Sequence, residues 1–280
     1  MKAKMREKLQ TFTAEETIRA LVRTAVATFA DGFEARHQAE ADNPEGIINM
    51  KIHNVFIEAL GKEIQYYTAL VRSLDSSLGN MLESLAINIA KLSFEVKNHV
   101  EGPLSAKQIR VIAELLEKYK RREIKPSAKD YQNLRKIALD AKARRKRHDS
   151  DYYLIDKKTN KHYLIELKIG GDLDNKKARS EKEAILEQFA ILSNTLKKDT
   201  DIQIYFATAY NRFGEDKPWN QERVKQFFAK EELLIGKDFW NFICHSQDGY
   251  KIVLDTYREN SHLIKKALEN IKDTYLGQNG

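Results

Sequence analysis

The sequence of 280 residues contains a single cysteine, Cys244, and only four prolines. One cysteine excludes an internal disulfide framework and a metal site built from several cysteines, and it fits a reducing, cytoplasmic setting. No apolar run approaches the length that a membrane-spanning helix needs, so no membrane association is expected. The basic N-terminal residues are not followed by an apolar segment, so no secretory signal is predicted. The histidines are scattered and show no metal-ligand spacing.

Positive charge is concentrated in the first half of the chain. Residues 1–150 contain 27 basic and 20 acidic side chains, whereas residues 151–280 contain 21 of each, which accounts for the formal net charge of +7. Residues 118–148 alone carry 13 basic and 3 acidic side chains, with the clusters KYKRR (118–122) and KARRKR (142–147). Such a block neutralises phosphates, so the sequence favours a polyanionic partner such as nucleic acid.

The hydrophobic fraction of 42% is enough for a packed core, and the apolar pattern changes between the two halves. Helical spacing predicts helices over about 13–29, 52–74, 78–96, 105–122 and 127–147, with a break at 31–32 and a loop over 35–49. The second half is predicted to hold a hairpin at 152–169, a helix at 178–196, a buried strand at 202–208 and mainly helices thereafter. Residues 233–235 fit either a short strand or part of a helix. This order predicts an α/β fold, a small mixed sheet flanked by helices with a largely helical N-terminal half.

The predicted hairpin brings charged side chains together at its open end. Its two apolar runs, Tyr152–Ile155 and His162–Ile169, flank a polar turn, and folding the chain about the middle of that turn sets Asp151 opposite Glu166. Side chains alternate along a strand, so Glu166 and Lys168 point to the same face. Two carboxylates and one amine therefore converge on one patch.

This patch suits the hydrolysis of a phosphodiester by a bound divalent cation. Mg²⁺ prefers oxygen ligands, which Asp151, Glu166 and the backbone carbonyl of Leu167 would supply, and Lys168 would orient or help deprotonate the attacking water. Asp149 is the alternative to Asp151, because the two lie on one face and register is not determined by sequence alone. A Glu-x-Lys triplet by itself is a common surface pattern; the hairpin partner, the following glycine pair and the basic block favour the metal site.

Asp151, the hairpin, Glu166-Leu167-Lys168 and the later strand IQIYFAT resemble the PD-(D/E)XK nuclease superfamily over about residues 148–210. Ser150 stands where that motif has a proline. The run KIGGDLDNKKARSEKEAILEQ, together with the helical N-terminal half, is similar to type II restriction endonucleases, and more narrowly to the TdeIII kind.

The resemblance implies a restriction-endonuclease-like fold and a Mg²⁺-dependent, sequence-specific cut in double-stranded DNA that leaves 5′-phosphate and 3′-hydroxyl ends. It also implies a homodimer that matches a palindromic site, with no nucleotide cofactor. Residues 1–125 are expected to serve DNA recognition and dimerisation, and residues 126–280 to form the nuclease core. The alternatives are another nuclease of the superfamily, for repair or junction resolution, and a non-catalytic nucleic-acid-binding protein.

Basic residues in three places are candidates for DNA contact: the basic block, the segment after the hairpin, and the loop after the buried strand. They are Lys142, Arg144, Arg145, Arg147, Lys176, Lys177, Arg212 and Lys217. A second group for base readout lies in the N-terminal half, although turn formation explains it equally well; it comprises Asn49, Lys51, His53 and Asn54. Three residues on or after the helix that precedes the hairpin are secondary candidates for the site, with a solvated helix face as the simpler explanation: Glu114, Glu117 and Glu123. Gln188, on the helix after the hairpin, is another, and a surface or cap role explains it at least as well.

Overall fold

A computed structural model describes residues 13–139 and 143–277, with Asp151 described by its backbone alone. The helices are, in chain order, α1 (Ala14–Ala39), α2 (Val55–Glu58), α3 (Lys62–Ala90), α4 (Ala106–Lys120), α5 (Ala128–Gln132), α6 (Asn175–Thr195), α7 (Glu222–Lys225), α8 (Lys237–Ile243) and α9 (Gly249–Leu276). The strands are β1 (Phe94–Leu104), β2 (Arg144–Asp156), β3 (His162–Leu167), β4 (Ile202–Thr208) and β5 (Leu233–Ile235). None of the helices in the described part of the chain is long and apolar enough to cross a membrane.

The chain forms two compact units, one of Met1–Leu85 with Lys251–Gly280 and one of Ala86–Tyr250. The first unit is helical, and α1 begins at the predicted capping box of Thr13 and Glu16. The predicted break at 31–32 is wrong, because α1 continues through Gly32 and buries one face along its whole length. A core of seven buried residues joins parts of α1, α3 and α9 with Ile48 of the loop that follows α1: Phe33, Ile48, Tyr66, Ala69, Leu70, Ile271 and Tyr275.

Two segments predicted as helix contain strands instead. The prediction of a helix over 78–96 fails at its end, since α3 stops at Ala90 and β1 begins at Phe94. The predicted helix over 127–147 is limited to α5 and a 3₁₀ turn at Asn133–Lys136, and β2 begins at Arg144. β1 and β2 pair with each other over most of their length, and this long-range pairing overrides the local helical propensity of a Lys- and Arg-rich segment.

The second unit is built on a sheet with strand order β1-β2-β3-β4-β5. β1, β2 and β3 are antiparallel neighbours, whereas β3, β4 and β5 run parallel. The parallel pairing of β3 with β4 requires a crossover, which α6 provides. All six residues of β3 are buried, as expected for a central strand. The α/β class, with a mixed sheet, flanking helices and a helical N-terminal region, is confirmed.

Candidate active site

The β2–β3 hairpin forms with the predicted register. Tyr152 pairs with Ile165, and continuing this antiparallel ladder by one residue places the backbone of Asp151 opposite Glu166. Glu166 is 8% exposed near the end of β3, beside Phe206 of β4. Leu167 follows next to Ala207 in the same parallel ladder. The carboxylate is therefore held by the centre of the sheet.

A β-bulge lies at the position of Asp151. β1 pairs Lys97 with Tyr153 but His99 with Asp149, so three residues of β2 stand opposite one residue of β1. Bulges bend a strand and redirect side chains, and they occur often beside active sites. The backbone irregularity thus coincides with the residue that the sequence identifies as the first acid.

Lys168 lies between two carboxylates. Its Nζ donates to Oε1 of Glu166 over 2.5 Å and lies 3.3 Å from Oε1 of Glu181. Its backbone N–H donates to the carbonyl of Ala207 over 3.0 Å, which continues the β3–β4 ladder beyond β3. The three charged groups are partly shielded: counting the side-chain atoms alone, the exposed fraction is 32% for Lys168, 10% for Glu166 and 24% for Glu181.

Sequence reasoning missed Glu181. It lies in the second turn of α6, the helix that connects β3 to β4. In a β–α–β unit the first turns of the helix lie near the carboxyl end of the preceding strand, where ligand sites gather. The position of Glu181 in those turns was therefore the feature of the sequence that could have identified it as a site residue.

Asp149 has different surroundings from Glu166. It faces His99 of β1, its side chain is 91% exposed, and its Oδ1 lies 3.7 Å from Nε of Arg147. Among the side chains that the structure describes, no group of three or more His, Cys, Asp or Glu residues is placed to hold a metal ion.

Residues 144–147 of the second basic cluster lie on strand β2 and not at a helix end, which corrects the sequence prediction. Lys142 is outside the described residues, and Arg144 to Arg147 are exposed on the part of β2 that precedes its pairing with β3. Alternation along the strand sends Arg145 towards Glu101 of β1, with Nε donating to Oε1 over 2.7 Å.

The other face of this strand is anchored to α6 through Glu187. Lys146 Nζ donates to Oε2 of Glu187 over 2.5 Å, and Nε2 of His148 lies 2.7 Å from the same oxygen. Burial alone would raise the pKa of Glu187, but the hydrogen bonds from His148 and Lys146 outweigh it and hold the pKa below its usual range. Glu187 thereby fixes the basic end of β2 against the helix.

The glycine pair after Lys168 ends the strand in a tight turn. Gly171 has φ +64°, and a Cβ there would lie 2.6 Å from Cγ2 of Thr208. Beyond the turn, Asp174 caps α6 by accepting from the N–H of Lys177, and the side chains of Lys176 and Lys177 are exposed.

The loop after β4 holds Arg212 and Lys217. Nη1 of Arg212 forms a 2.6 Å ion pair with Asp172, so this arginine is partly neutralised within the chain. Lys217 is exposed, and its carbonyl accepts from Nδ2 of Asn211 over 2.7 Å. The loop is therefore ordered by internal hydrogen bonds with its basic side chains at the surface.

Two of the four residues in the second base-readout group have structural roles. Nδ2 of Asn49 donates to three backbone carbonyls, and Asn54 caps α2. Lys51 lines a surface cavity of the first unit, and His53 is exposed.

Three of the secondary candidates, Glu114, Glu117 and Glu123, line one surface cavity. Glu117 of α4 forms a 3.1 Å ion pair with Arg179, and Glu123 lies 3.7 Å from Arg121. Gln188 is 3% exposed, so a surface role for it is wrong.

Comparison with known proteins gives one family match. A family model described as "Type II restriction endonuclease, HinfI" matches residues 14–261. Neither the curated proteins nor the solved structures contain a match. The narrower resemblance to the TdeIII kind is therefore not confirmed, whereas the prediction of a restriction enzyme is. Since the match covers most of the chain and the whole hairpin site, the chain belongs to the HinfI family of type II restriction endonucleases, which cleave DNA sequence-specifically.

Proposed function

We propose that this restriction endonuclease cleaves DNA at the open end of the β2–β3 hairpin, with Asp151, Glu166 and Lys168 as catalytic residues. The observation that carries the proposal is the ammonium of Lys168, 2.5 Å from Glu166 and 3.3 Å from Glu181, beside the strand pair that sets Asp151 opposite Glu166. A shielded lysine between carboxylates provides a positive charge and a proton donor or acceptor at one place.

Mg²⁺ is the cation that this donor set fits. Asp151 and Glu166 would hold it together with the backbone carbonyl of Leu167, since Mg²⁺ takes oxygen ligands and usually one or two carboxylates. Asp149 stays the alternative first carboxylate, although its 91% exposure and its contact with Arg147 favour Asp151. The bound ion would stabilise negative charge on the phosphoryl oxygens.

Lys168 would orient the attacking water. The water oxygen bonds to phosphorus and releases one proton to solvent, the bond from phosphorus to the 3′ oxygen breaks, and that oxygen gains a proton from solvent. The products are 5′-phosphate and 3′-hydroxyl ends. Basic side chains would hold the substrate backbone in place; the proposed contacts are Lys142, Arg144, Arg145, Arg147, Lys176, Lys177, Arg212 and Lys217.

A homodimer is proposed as the active form, because a two-fold protein matches a palindromic site and cuts both strands. In support, exposed apolar side chains gather near the start of α3: Phe56 (82%), Leu60 (62%), Ile64 (42%), Tyr67 (37%) and Val71 (53%). Ile64, Tyr67 and Val71 repeat at a spacing of three and four, which forms one stripe along a helix. Residues 1–125 would serve recognition and dimerisation, and 126–280 catalysis.

Plasmid cleavage tests the catalytic proposal. Discrete fragments should form with Mg²⁺ and not with EDTA, and Glu166→Gln or Lys168→Ala should reduce the rate by a factor of about 10³ or more. Lys158→Ala, in the exposed turn of the same hairpin, serves as the control and should cut at the wild-type rate. A Lys168→Ala protein that cuts normally would overturn the site.

Sedimentation velocity tests the dimer. Val71→Glu introduces a charge into the apolar stripe and should yield monomers at concentrations where the wild type is dimeric. Arg23→Glu, an exposed position on α1, should leave the dimer intact. A wild-type protein that sediments as a monomer, with and without DNA, would remove this part of the proposal.

A further inference from the structure

A cationic cavity lies in the first compact unit. Its volume is about 500 Å³, and it is lined by Arg36, Ile47, Met50, Lys51, Asn54, Ala69, Arg72, Ser73, Ser76 and Ser77. We call it the Arg36 cavity. It lies between the end of α1, the 3₁₀ turn Asn49–His53 and one face of α3.

The chemistry of the lining is that of an anion site. It carries three cationic side chains, those of Arg36, Lys51 and Arg72, together with three serine hydroxyls and one amide. None of the lining residues is acidic, although the chain as a whole has 41 acidic residues against 48 basic ones. The lining therefore carries three positive charges and no carboxylate of its own, although the carboxylate of Glu40 accepts from the backbone N–H of the lining residue Ile47 over 3.2 Å.

The guanidinium of Arg36 is held in position. Its Nη2 donates to Oγ of Ser73 over 2.8 Å and to Oγ of Ser77 over 3.2 Å. It also lies over the ring of Phe33, 5.3 Å from the ring centroid. Within the described residues, no carboxylate lies within ion-pair distance of Arg36, so its charge is met by hydroxyls and a ring alone.

These contacts also orient the serine hydroxyls. A hydroxyl oxygen that accepts from an arginine directs its own proton away from that arginine. Ser73 and Ser77 line the cavity and keep their hydroxyl protons for a further acceptor. Arginine with hydroxyl donors is the combination that recognises phosphate oxygens.

The position along α3 explains how the cavity forms. Ala69, Arg72, Ser73, Ser76 and Ser77 are spaced by three and four residues, so they share one helix face. By the same helical geometry this face is roughly opposite to the exposed apolar stripe of Ile64, Tyr67 and Val71. The cavity and a dimer contact can therefore exist together.

We propose that the Arg36 cavity binds a phosphate group. Because the family cleaves DNA, we expect this group to be a phosphodiester of the DNA backbone. Free inorganic phosphate has the same chemistry and is the alternative ligand. The cavity would give the helical unit a backbone contact of its own, independent of base sequence and of the hairpin residues.

Binding of a random-sequence 30-base-pair duplex by the full-length protein tests this, measured without Mg²⁺ over a range of salt concentrations. Arg72→Gln and Lys51→Gln should each weaken binding about threefold to tenfold at 0.1 M salt and lower the slope of log affinity against log salt by about one. Arg23 is an exposed arginine of α1 outside the cavity, so Arg23→Gln should leave both the affinity and the salt slope unchanged.

Titration with inorganic phosphate separates the two sources. If the wild type binds phosphate and Arg72→Gln does not, while both have the same slope of log DNA affinity against log salt, the cavity binds free phosphate from solution. If neither Arg72→Gln nor Lys51→Gln changes duplex binding or phosphate binding, the proposal is overturned. Because no cleavage is measured, failure of the catalytic proposal does not affect the result.

Discussion

Nζ of Lys182 lies 2.8 Å from both Oε1 and Oε2 of Glu232, and the two side chains are only 1% and 2% exposed. The rings of Tyr131 and Phe228 lie 5.4 and 4.7 Å from the same ammonium. Burial lowers the pKa of Lys182, and the charge of Glu232 acts in the opposite direction. This pair ties α6 to the residue that precedes β5, so it contributes to the rigidity of the helix that carries Glu181.

Removing one member of the pair should destabilise the protein strongly. Lys182→Met leaves a buried carboxylate uncompensated, and we expect the free energy of unfolding to fall by about 3–5 kcal/mol. The double variant Lys182→Met/Glu232→Leu should recover most of this loss. Urea denaturation at pH 7 measures the unfolding free energy of both variants. Lys225→Met, which removes one member of a more exposed pair, is the control and should lower the unfolding free energy by only about 0.5 kcal/mol. A double variant as unstable as the single one would contradict the uncompensated-charge explanation.

Replacing Glu181 should slow cleavage without loosening the fold. Glu181→Gln removes the charge 3.3 Å from Lys168 Nζ, so the ammonium is less firmly positioned, and we expect the single-turnover rate to fall about 10–100-fold. Thermal stability and DNA affinity should be close to those of the wild type. Glu183→Gln, two residues further on α6 and thus on another face, is the matched control. An equal loss of rate in both variants would show a general charge effect.

The turn after the hairpin should tolerate no side chain at Gly171. Gly171→Ala requires φ +64° of an alanine and a contact of 2.6 Å with Thr208, so we expect a loss of about 1–3 kcal/mol in unfolding free energy. Gly32→Ala is the opposite case, because Gly32 is inside α1 with open space around it. For Gly32→Ala we expect the unfolding free energy to rise by about 0.5–1 kcal/mol. Denaturant melts of the two variants give the comparison, and a neutral Gly171→Ala would refute the strained-turn description.

The buried His37 should make the protein acid-sensitive. It is fully buried, and both ring nitrogens are without a hydrogen-bond partner in the described structure. Burial, with a smaller contribution from the charge of Arg36, lowers the pKa of His37 below its ordinary value of 6.5. The unfolded chain therefore binds the proton more tightly, and stability should fall as the pH drops below about 6.5.

Thermal unfolding between pH 5 and 7.5 measures this effect. His37→Phe should flatten the pH dependence of Tm, since phenylalanine carries no proton and can pack beside Phe33 as the imidazole does. Some dependence should remain, because burial also lowers the pKa of His162. His53→Gln, at an exposed position, is the control. An unchanged slope in His37→Phe would show that this histidine is not responsible.

The hairpin was predictable because its determinants are local. A short polar turn with apolar residues on both sides defines which residues face each other, so the pairing of Tyr152 with Ile165 follows from the sequence near the turn. The buried strand β4 was predictable for a similar reason, as a continuous apolar run between turn signals. The order of these elements was enough for the α/β class.

The strand β1 and the basic half of β2 were not predictable in this way. Residues 144–149 have no apolar alternation, and they are a strand because they pair with residues of β1 that lie 40 to 50 positions earlier in the chain. Lysine and arginine have a high intrinsic helix propensity, so such a run on its own predicts a helix. Only the pairing with β1, which is distant in sequence, makes it a strand. The consequence for function is a basic face on an extended strand, anchored by Glu187, where sequence reasoning expected a helix end.

The sequence by itself determined the chemical types at the candidate site, the hairpin that carries them and the polyanionic partner, because these depend on neighbouring residues and on composition. Only the tertiary structure decided that Glu181 approaches Lys168, that Asp149 is exposed beside Arg147, and that Arg36, Lys51 and Arg72 share one cavity. The physical reason is common to all three. Distances between residues on different elements depend on how those elements pack, and packing is a property of the whole core and not of any one segment.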